Sequence, residues 1–203
     1  MQSDTPKVGK QDTIVLASHN NGKIKEFKTL LSKYNLNIVT AADIGIKDIE
    51  ETGKTFEENS KIKAENVPNK YITISDDSGL CISCLSNKPG IFSARYAKDS
   101  GGWAMAMENL YKEVIKKKSN DFSAKFVCSL TIRINNNYFV YNGEVFGEVI
   151  WPPKGENGFG YDPFFIPNGY SKTFGEMKHD KKILIDHRSV ALKKLIKEHL
   201  ICN

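Results

Sequence analysis

The sequence predicts an α/β protein with a mixed β-sheet, and three observations lead to that prediction. Short apolar runs alternate with amphipathic helical patterns in the first half of the chain, an order typical of parallel strands joined by helices. The second half carries two consecutive β-rich runs joined by a short asparagine turn, and such a hairpin adds antiparallel pairing. The 203 residues, 40% of them hydrophobic, are enough for one domain with a buried core.

The first predicted strand and helix follow each other closely. Residues 13–17 form an apolar run, Thr-Ile-Val-Leu-Ala, of the kind expected for a strand that is buried on both faces. A polar loop follows at residues 18–22, and residues 23–33 then place their apolar side chains on one helical stripe. Residues 36–40 predict the next strand.

A second helix and strand lead to the most informative segment of the chain. Thr55 and Glu58 form a capping-box pattern, which predicts a helix that begins there and ends near Pro68. The apolar run at residues 71–74 predicts a strand, and Ser-Asp-Asp-Ser-Gly-Leu follows at residues 75–80. We therefore expect two adjacent carboxylates where a buried strand emerges into a turn, a place where acidic side chains can hold Mg²⁺.

The second half of the chain predicts a helix, a hairpin and a helical tail. Residues 103–118 read as a helix with apolar residues inside and a lysine-rich end. Residues 122–134 and 138–149 are β-rich, and the asparagines between them suit a hairpin turn. Residues 180–200 form an amphipathic, mostly helical tail.

Composition narrows the function classes. The 29 Lys and Arg against 24 Asp and Glu give a net charge of +5, which suits an anionic ligand but is too mild and dispersed to indicate nucleic-acid binding. No apolar stretch approaches the roughly 20 residues of a membrane span, and the polar N-terminus lacks the apolar centre of a secretory signal. We expect a cytoplasmic protein with a polar tail at residues 1–11 and a single domain at residues 12–203.

The polar loop before the first helix is a candidate phosphate site. Ser18, Asn20 and Lys23 place hydroxyl, amide and ammonium groups at a helix N-terminus, where backbone N–H groups and the helix dipole attract phosphate. The spacing of a Walker P-loop is absent. A plain helix cap is the alternative interpretation of the same residues.

The acidic residues are candidate metal ligands. A fold that brings Glu51 near Asp77 would supply two carboxylates for Mg²⁺, while waters and phosphates complete its coordination. A metal-held Asp77 could also orient a water for in-line attack on phosphorus. Asp76 could be a second ligand, an orienting residue or an alternative base, and Glu51 alone could belong to a solvated acidic loop.

A glycine-rich aromatic loop and a cationic C-terminal segment are candidate base-binding elements. Phe159 offers a flat face for stacking and Asp162 can accept hydrogen bonds from a base edge. Lys182 and Arg188 can meet phosphate or carbonyl oxygens. Each could instead be an ordinary loop or surface residue, and His187 by itself is more typical of a satisfied, partly buried side chain.

Taken together and in order, these motifs resemble the inosine triphosphate pyrophosphatase family, also called Ham1-like. The motifs are Ser18-x-Asn20-x-x-Lys23, Glu51-Thr-Gly-x-Thr55-Phe-x-Glu-Asn59, Ser75-Asp-Asp-Ser-Gly-Leu80, Pro89-Gly-Ile-x-Ser-Ala-Arg-Tyr96, Gly158-Phe-Gly-Tyr-Asp162 and His187-Arg188. The resemblance implies an elongated mixed sheet in two lobes, with flanking helices and a central active-site cleft, commonly in a homodimer.

The resemblance also implies an activity and a set of site residues. The activity is hydrolysis of ITP, dITP and XTP to the monophosphate and pyrophosphate, which cleanses the nucleotide pool of deaminated purines, with Mg²⁺ as cofactor. Glu51 and Asp77 would hold the metal, with Asp77 also the proposed base. The residues implied to bind substrate are Ser18, Asn20, Lys23, Ser78, Phe159, Gly160, Tyr161, Asp162, Lys182, His187 and Arg188.

The sequence departs from the family pattern at His19, Asn21 and Asp186, and two alternative functions remain open. Asp186 stands where the family often has serine, and we expect it to alter base preference rather than abolish activity. A Maf-like pyrophosphatase of modified or pyrimidine nucleotides would use similar chemistry on a related fold. A nucleic-acid-binding module without catalysis is the second alternative, although the chain lacks a dense basic stripe interleaved with aromatics.

Overall fold

The protein is described from a computed structural model, which defines residues 5–9, 11–118 and 120–200. The strands are β1 (Thr13–Leu16), β2 (Asn37–Thr40), β3 (Ile72–Ile82), β4 (Lys88–Pro89), β5 (Ser123–Ile134), β6 (Asn137–Val149) and β7 (Phe165–Pro167). The helices are α1 (Asn21–Leu31), α2 (Phe56–Glu65), α3 (Ser93–Asp99), α4 (Trp103–Lys116), α5 (His179–Lys182) and α6 (His187–His199). Within these ranges no helix is long and apolar enough to cross a membrane.

The strands form one mixed sheet. β1 pairs in parallel with β2 and with β3, so that Val15 lies opposite Val39 on one side and Thr73 on the other. β4 pairs antiparallel with β3, and β7 pairs antiparallel with β6. Among the described residues the strand order is β2-β1-β3-β5-β6-β7, with β4 beside β3. The predicted α/β class with a mixed sheet is confirmed.

The sequence signals for the helix before β3 are confirmed in detail. Thr55 is the N-cap of α2, and its Oγ1 accepts a hydrogen bond of 3.1 Å from the Glu58 N–H. Glu58 Oε2 in turn accepts from the Lys54 N–H at 2.6 Å. The first bond satisfies one orphan donor of the helix start, whereas the second reaches Lys54, one residue before the N-cap that an ideal capping box would contact. The helix ends at Glu65, three residues before Pro68.

The acidic segment is not a turn, contrary to the prediction. β3 continues through Asp76 and Asp77 to Ile82, because partners on both faces of the strand compensate the two buried carboxylates. Gly79 marks a close approach of backbone instead of a turn: a Cβ there would lie 2.2 Å from the Gly90 carbonyl oxygen. Only glycine fits beside that carbonyl.

The chain divides into two compact units. The first contains residues 1–77, 128–143 and 188–203. Its larger core consists of Val8, Ile14, Leu16, Phe27, Leu31, Ile74, Cys128, Leu130, Ile132, Ile134, Tyr141, Ala191, Leu192, Leu195 and Leu200. Val8 lies within the predicted polar tail, yet it is buried and donates its N–H to the His199 carbonyl oxygen at 2.8 Å. The boundary predicted after residue 11 stays a prediction.

The second unit contains residues 78–127 and 144–187. Its core consists of Leu80, Ile82, Leu85, Ala97, Ala106, Met107, Leu110, Val114, Ala124, Phe126, Val149, Tyr161, Phe164, Phe165, Phe174 and Met177. The predicted helical tail is divided here, since α5 ends at Lys182 and α6 begins at His187. The single domain and the cleft implied by the resemblance stay predictions.

Candidate active site

Asp76 is the centre of a buried ion-pair network in the first unit. Its Oδ2 lies 2.9 Å from Lys23 Nζ and 3.5 Å from Arg188 Nε, and Arg188 Nη1 lies 2.7 Å from Glu26 Oε2. Burial raises the pKa of Asp76, but the charges of Lys23, Arg188 and Lys63 outweigh burial and lower the pKa to about 2. Asp76 is therefore held ionised by fixed cations.

Asp77 has a different environment, because successive side chains of a strand point to opposite faces. Its Oδ2 accepts a hydrogen bond of 2.9 Å from Asn59 Nδ2. Burial raises the pKa of Asp77 and the charge of Glu51 adds to the rise, which the ammonium groups of Lys63 and Lys23 only partly offset. The ionised form of Asp77 is thus disfavoured in the protein alone, and a further cation beside it would be stabilising.

Lys63 is a site residue that the sequence reasoning missed. Its Nζ lies 2.5 Å from Glu51 Oε1, and the residue is 8% exposed. Burial lowers the pKa of Lys63, but the negative charges of Asp76, Asp77 and Glu51 raise it above its ordinary value. Asn59 and Lys63 stand four residues apart on α2 and so lie on one face of that helix, but this spacing alone does not show that the face meets carboxylates.

The loop before α1 is a helix cap in this structure. Asn20 Oδ1 accepts a hydrogen bond of 3.1 Å from the Lys23 N–H, and Ser18 Oγ accepts one of 3.2 Å from the Asn20 N–H. The hydrogen bonds therefore correspond to the plain helix cap that was the alternative interpretation of this loop. The cap also aims the Lys23 side chain at Asp76. Phosphate binding by these three residues stays a prediction.

In the second unit, Asp162 organises the aromatic loop and a buried lysine. Its Oδ2 accepts hydrogen bonds from Lys182 Nζ at 2.6 Å and from the Phe159 N–H at 2.8 Å. The Lys182 ammonium also lies 4.8 Å from the centroid of the Phe159 ring, within cation–π range. Asp162 and Lys182 are each 2% exposed. The structure therefore brings these three predicted site residues together.

Tyr161 and Gly160 pack against Trp103, which the sequence reasoning had placed only as a helix residue. The rings of Trp103 and Tyr161 meet edge to face with centroids 5.1 Å apart. A Cβ at Gly160 would lie 3.6 Å from the Trp103 ring, and Trp103 remains 38% exposed. Tyr161 donates its hydroxyl to the Ser93 carbonyl oxygen at 3.2 Å, and burial raises its pKa. The spacing of Trp103 from the loop in sequence gives no hint of this contact.

The substrate-binding roles of His187 and Ser78 stay predictions, and the structure describes only their surroundings. His187 is 2% exposed, and its ring stacks on Phe126 with centroids 4.8 Å apart. Ser78 follows Asp77 within β3. The first unit thus carries Ser18, Asn20, Lys23, Glu51, Asp77 and Arg188, and the second carries Ser78, Phe159, Gly160, Tyr161, Asp162, Lys182 and His187.

The carboxylates of the first unit fit the requirements of Mg²⁺. Mg²⁺ binds through one or two carboxylates and keeps waters or substrate phosphates as its other ligands. Across the described part of the chain, no three acidic, His or Cys side chains are placed to enclose a metal by themselves, so Mg²⁺ binding by Glu51 and Asp77 stays a prediction. The charges of Glu51 and Asp77 both act on the Lys63 ammonium and raise its pKa, so both carboxylates favour positive charge in this part of the first unit.

Comparisons with known proteins identify the family to which this chain is similar. The pattern of the Ham1 family matches residues 14–198. The dITP/XTP pyrophosphatase of Bacillus subtilis is 42% identical over 188 residues, covering 90% of this chain and 94% of that protein. The protein of the same name from Zymomonas mobilis is 41% identical over 187 residues, covering 90% of each chain.

Solved structures show the same fold. A HAM1 protein from Coxiella burnetii superposes with a TM-score of 0.83 at 34% identity, covering 92% of this chain and 98% of that one. The Ham1 protein of Staphylococcus aureus superposes with a TM-score of 0.79 at 36% identity, covering 91% and 96%. From the family pattern and these relatives, the chain belongs to the Ham1 family.

Proposed function

We propose that this protein hydrolyses deaminated purine nucleoside triphosphates, namely ITP, dITP and XTP, to the monophosphate and pyrophosphate. The relatives named dITP/XTP pyrophosphatases align over nine-tenths of the chain. The observation that carries the proposal is the Glu51–Lys63 ion pair, together with the charge of the Asp77 carboxylate, which also acts on Lys63. Two carboxylates beside a buried ammonium suit a reaction in which a polyphosphate and a divalent cation must be held together.

Mg²⁺ is the proposed cofactor, with Glu51 and Asp77 as its protein ligands. When bound, Mg²⁺ would withdraw charge from the phosphate oxygens and lower the barrier to displacement at phosphorus. Asp77 is also the proposed base that takes a proton from the attacking water, as the family resemblance implies. Asp76, paired with Lys23 and Arg188, is not the proposed base because its pKa is too low.

The first turn of α1 and the cation beside it form the proposed phosphate-binding element. Asn20 and Ser18 hold the loop in place by capping the helix, and the positive end of the helix dipole favours an anion there. The Lys23 side chain is 13% exposed. Its ammonium group can therefore contact a phosphate oxygen while it stays paired with Asp76. Positioning by such groups supplies most of the catalysis in phosphoryl transfer.

The aromatic loop of the second unit is the proposed base-binding element. Phe159 supplies a ring face, and Asp162 fixes both the Phe159 backbone and the Lys182 ammonium. Donors directed at a 6-oxo group favour hypoxanthine and xanthine, because adenine presents an amino group that leaves those donors unpaired. Gly160, Tyr161, His187, Arg188 and Ser78 complete the residues proposed to contact substrate.

The test is pyrophosphate release from ITP, XTP, dITP, ATP, GTP and UTP, with Mg²⁺ or with EDTA. We expect ITP, dITP and XTP to be cleaved by the wild type in Mg²⁺ and not in EDTA, and Asp77→Asn to lose at least 100-fold in kcat, as expected for loss of a base and metal ligand. Cleavage of ATP as fast as ITP would contradict the proposal. Preference for UTP or modified pyrimidines would favour a Maf-like enzyme, and salt-dependent oligonucleotide binding without pyrophosphate release would favour a binding module.

A homodimer and a cytoplasmic location complete the proposal. The homodimer follows from the family resemblance, and the location follows from the resemblance and from the substrate, since nucleoside triphosphates belong to the nucleotide pool. Sedimentation equilibrium would give twice the chain mass of 22.8 kDa if the protein is a dimer. Cell fractionation tests the location, and recovery outside the cytoplasm would contradict it.

A further inference from the structure

Asn59 is a buried amide that uses both ends of its side chain. It lies on α2 and is 0% exposed. Its Oδ1 accepts a hydrogen bond of 2.8 Å from the Gly53 N–H, and its Nδ2 donates one of 2.9 Å to Asp77 Oδ2. Asparagine has one acceptor and one donor group at the end of its side chain, so this residue is matched to a donor on one side and an acceptor on the other.

The orientation of the amide is determined by its partners. A backbone N–H can only donate, so the carboxamide oxygen must face Gly53. An ionised carboxylate can only accept, so the carboxamide nitrogen must face Asp77. A flipped amide would lose both hydrogen bonds. It would place its nitrogen donor against the Gly53 N–H and its oxygen acceptor against the Asp77 carboxylate oxygen. Neither aspartate nor leucine, which have the same shape, can make both contacts.

The two partners of Asn59 belong to the segments that carry the proposed metal ligands. Gly53 lies two residues after Glu51, and Asp77 is the other ligand. The contact to Gly53 is also closely fitted, because a Cβ at that position would lie 2.7 Å from Asn59 Oδ1 and 2.7 Å from Glu58 Cβ. The Glu51 loop can therefore approach α2 this closely only with glycine at position 53.

We propose that Asn59 is a positioning residue that holds the Glu51 segment and the Asp77 carboxylate in the arrangement that binds the divalent cation. This inference rests on the proposed function. The bond to Asp77 Oδ2 restricts the rotation of that carboxylate. The bond to Gly53 fixes the backbone that carries Glu51. Carboxylates that ligate metals are commonly oriented by such hydrogen bonds, and losing one typically weakens metal affinity by about 10- to 100-fold.

The experiment measures the affinity of the protein alone for Mn²⁺, a spectroscopic substitute for Mg²⁺, by electron paramagnetic resonance of the free ion. Wild type is compared with Asn59→Leu and Asn59→Ala, neither of which retains either bond or adds a charge. Ser60→Ala is the matched control, because Ser60 is the next residue on α2, is equally buried, and bonds only Thr131 Oγ1 at 2.6 Å and the Glu57 carbonyl at 2.9 Å through its hydroxyl. Thermal unfolding without metal measures the structural cost of each change.

We expect both Asn59 variants to bind Mn²⁺ about 10- to 100-fold more weakly, while Ser60→Ala binds within twofold of wild type at a similar loss of melting temperature. Wild-type affinity in either folded Asn59 variant would overturn the inference and leave the proposed function standing. An equal loss of affinity in Ser60→Ala would also overturn it, since general loosening of α2 would then explain the effect. A wild-type protein that binds no Mn²⁺ would overturn the metal proposal, and this inference with it.

Discussion

Replacing Asp76 and Asp77 by asparagine, one at a time, is expected to separate stability from catalysis. The pKa of Asp76 falls from 3.8 to about 2, which corresponds to about 2 kcal/mol of stability at neutral pH. Asp76→Asn also leaves Lys23 and Arg188 without their shared carboxylate, and removing one partner of a buried ion pair costs about 3–5 kcal/mol. We expect Asp76→Asn to lower the free energy of unfolding by about 3–5 kcal/mol.

Asp77→Asn is expected to behave in the opposite way. The pKa of Asp77 is raised, so its ionised carboxylate is less stable in the folded protein than in water. An asparagine oxygen can still accept the hydrogen bond from Asn59 Nδ2. The free energy of unfolding should therefore change by less than about 1 kcal/mol, while pyrophosphate release is lost.

The assay is urea unfolding in EDTA at pH 7, paired with pyrophosphate release from ITP in Mg²⁺. Asp99→Asn serves as a control, because Asp99 is exposed at the end of α3 and should change neither quantity. A stable but inactive Asp76→Asn, together with a strongly destabilised Asp77→Asn, would refute the division of roles between the two carboxylates.

Three further predictions follow from the same contacts. The pKa of Asp76 is depressed in the folded protein, so its stabilising contribution is present above the unfolded pKa and is lost as pH falls from about 4 towards about 2. In urea unfolding, the free energy of unfolding of the wild type should fall by about 2 kcal/mol over this pH range, and no loss there would contradict the ion pairing of Asp76. In a Trp151→Phe background, Trp103 fluorescence should change when ITP binds in Ca²⁺, because Trp103 contacts Gly160 and Tyr161; an unchanged spectrum at saturation would place the nucleotide elsewhere. Asp186→Ser should alter the ratio of kcat/KM for ITP to that for XTP, and identical ratios would rule out a role for Asp186 in base preference.

The regular elements were predictable because local signals and burial agree there. The capping box at Thr55 and Glu58 placed the start of α2 correctly, and the apolar run at residues 13–17 predicted β1. Asn135, with φ of 55°, provides the left-handed residue expected of the hairpin turn between β5 and β6. These features depend on neighbours within a few residues, which is the range over which sequence patterns report directly.

The acidic segment was mispredicted because its compensation comes from distant residues. Two adjacent aspartates and a glycine indicate a turn on local grounds. Asp76 is accommodated in a buried strand by Lys23 and by Arg188, 112 residues further along the chain. No local pattern records such pairs. Lys63 was missed for a related reason, since a lysine on an amphipathic helix is ordinarily solvated and only the tertiary fold turns it toward carboxylates.

The central claim is that carboxylates of the first unit hold a divalent cation against the triphosphate. The most direct measurement is the anomalous difference density of a crystal grown with Mn²⁺ and a non-hydrolysable ITP analogue. We predict a peak within coordination distance of Glu51 and Asp77 carboxylate oxygens and of the phosphate chain. A nucleotide bound with those carboxylates turned away from its phosphates, and no peak between them, would contradict the account.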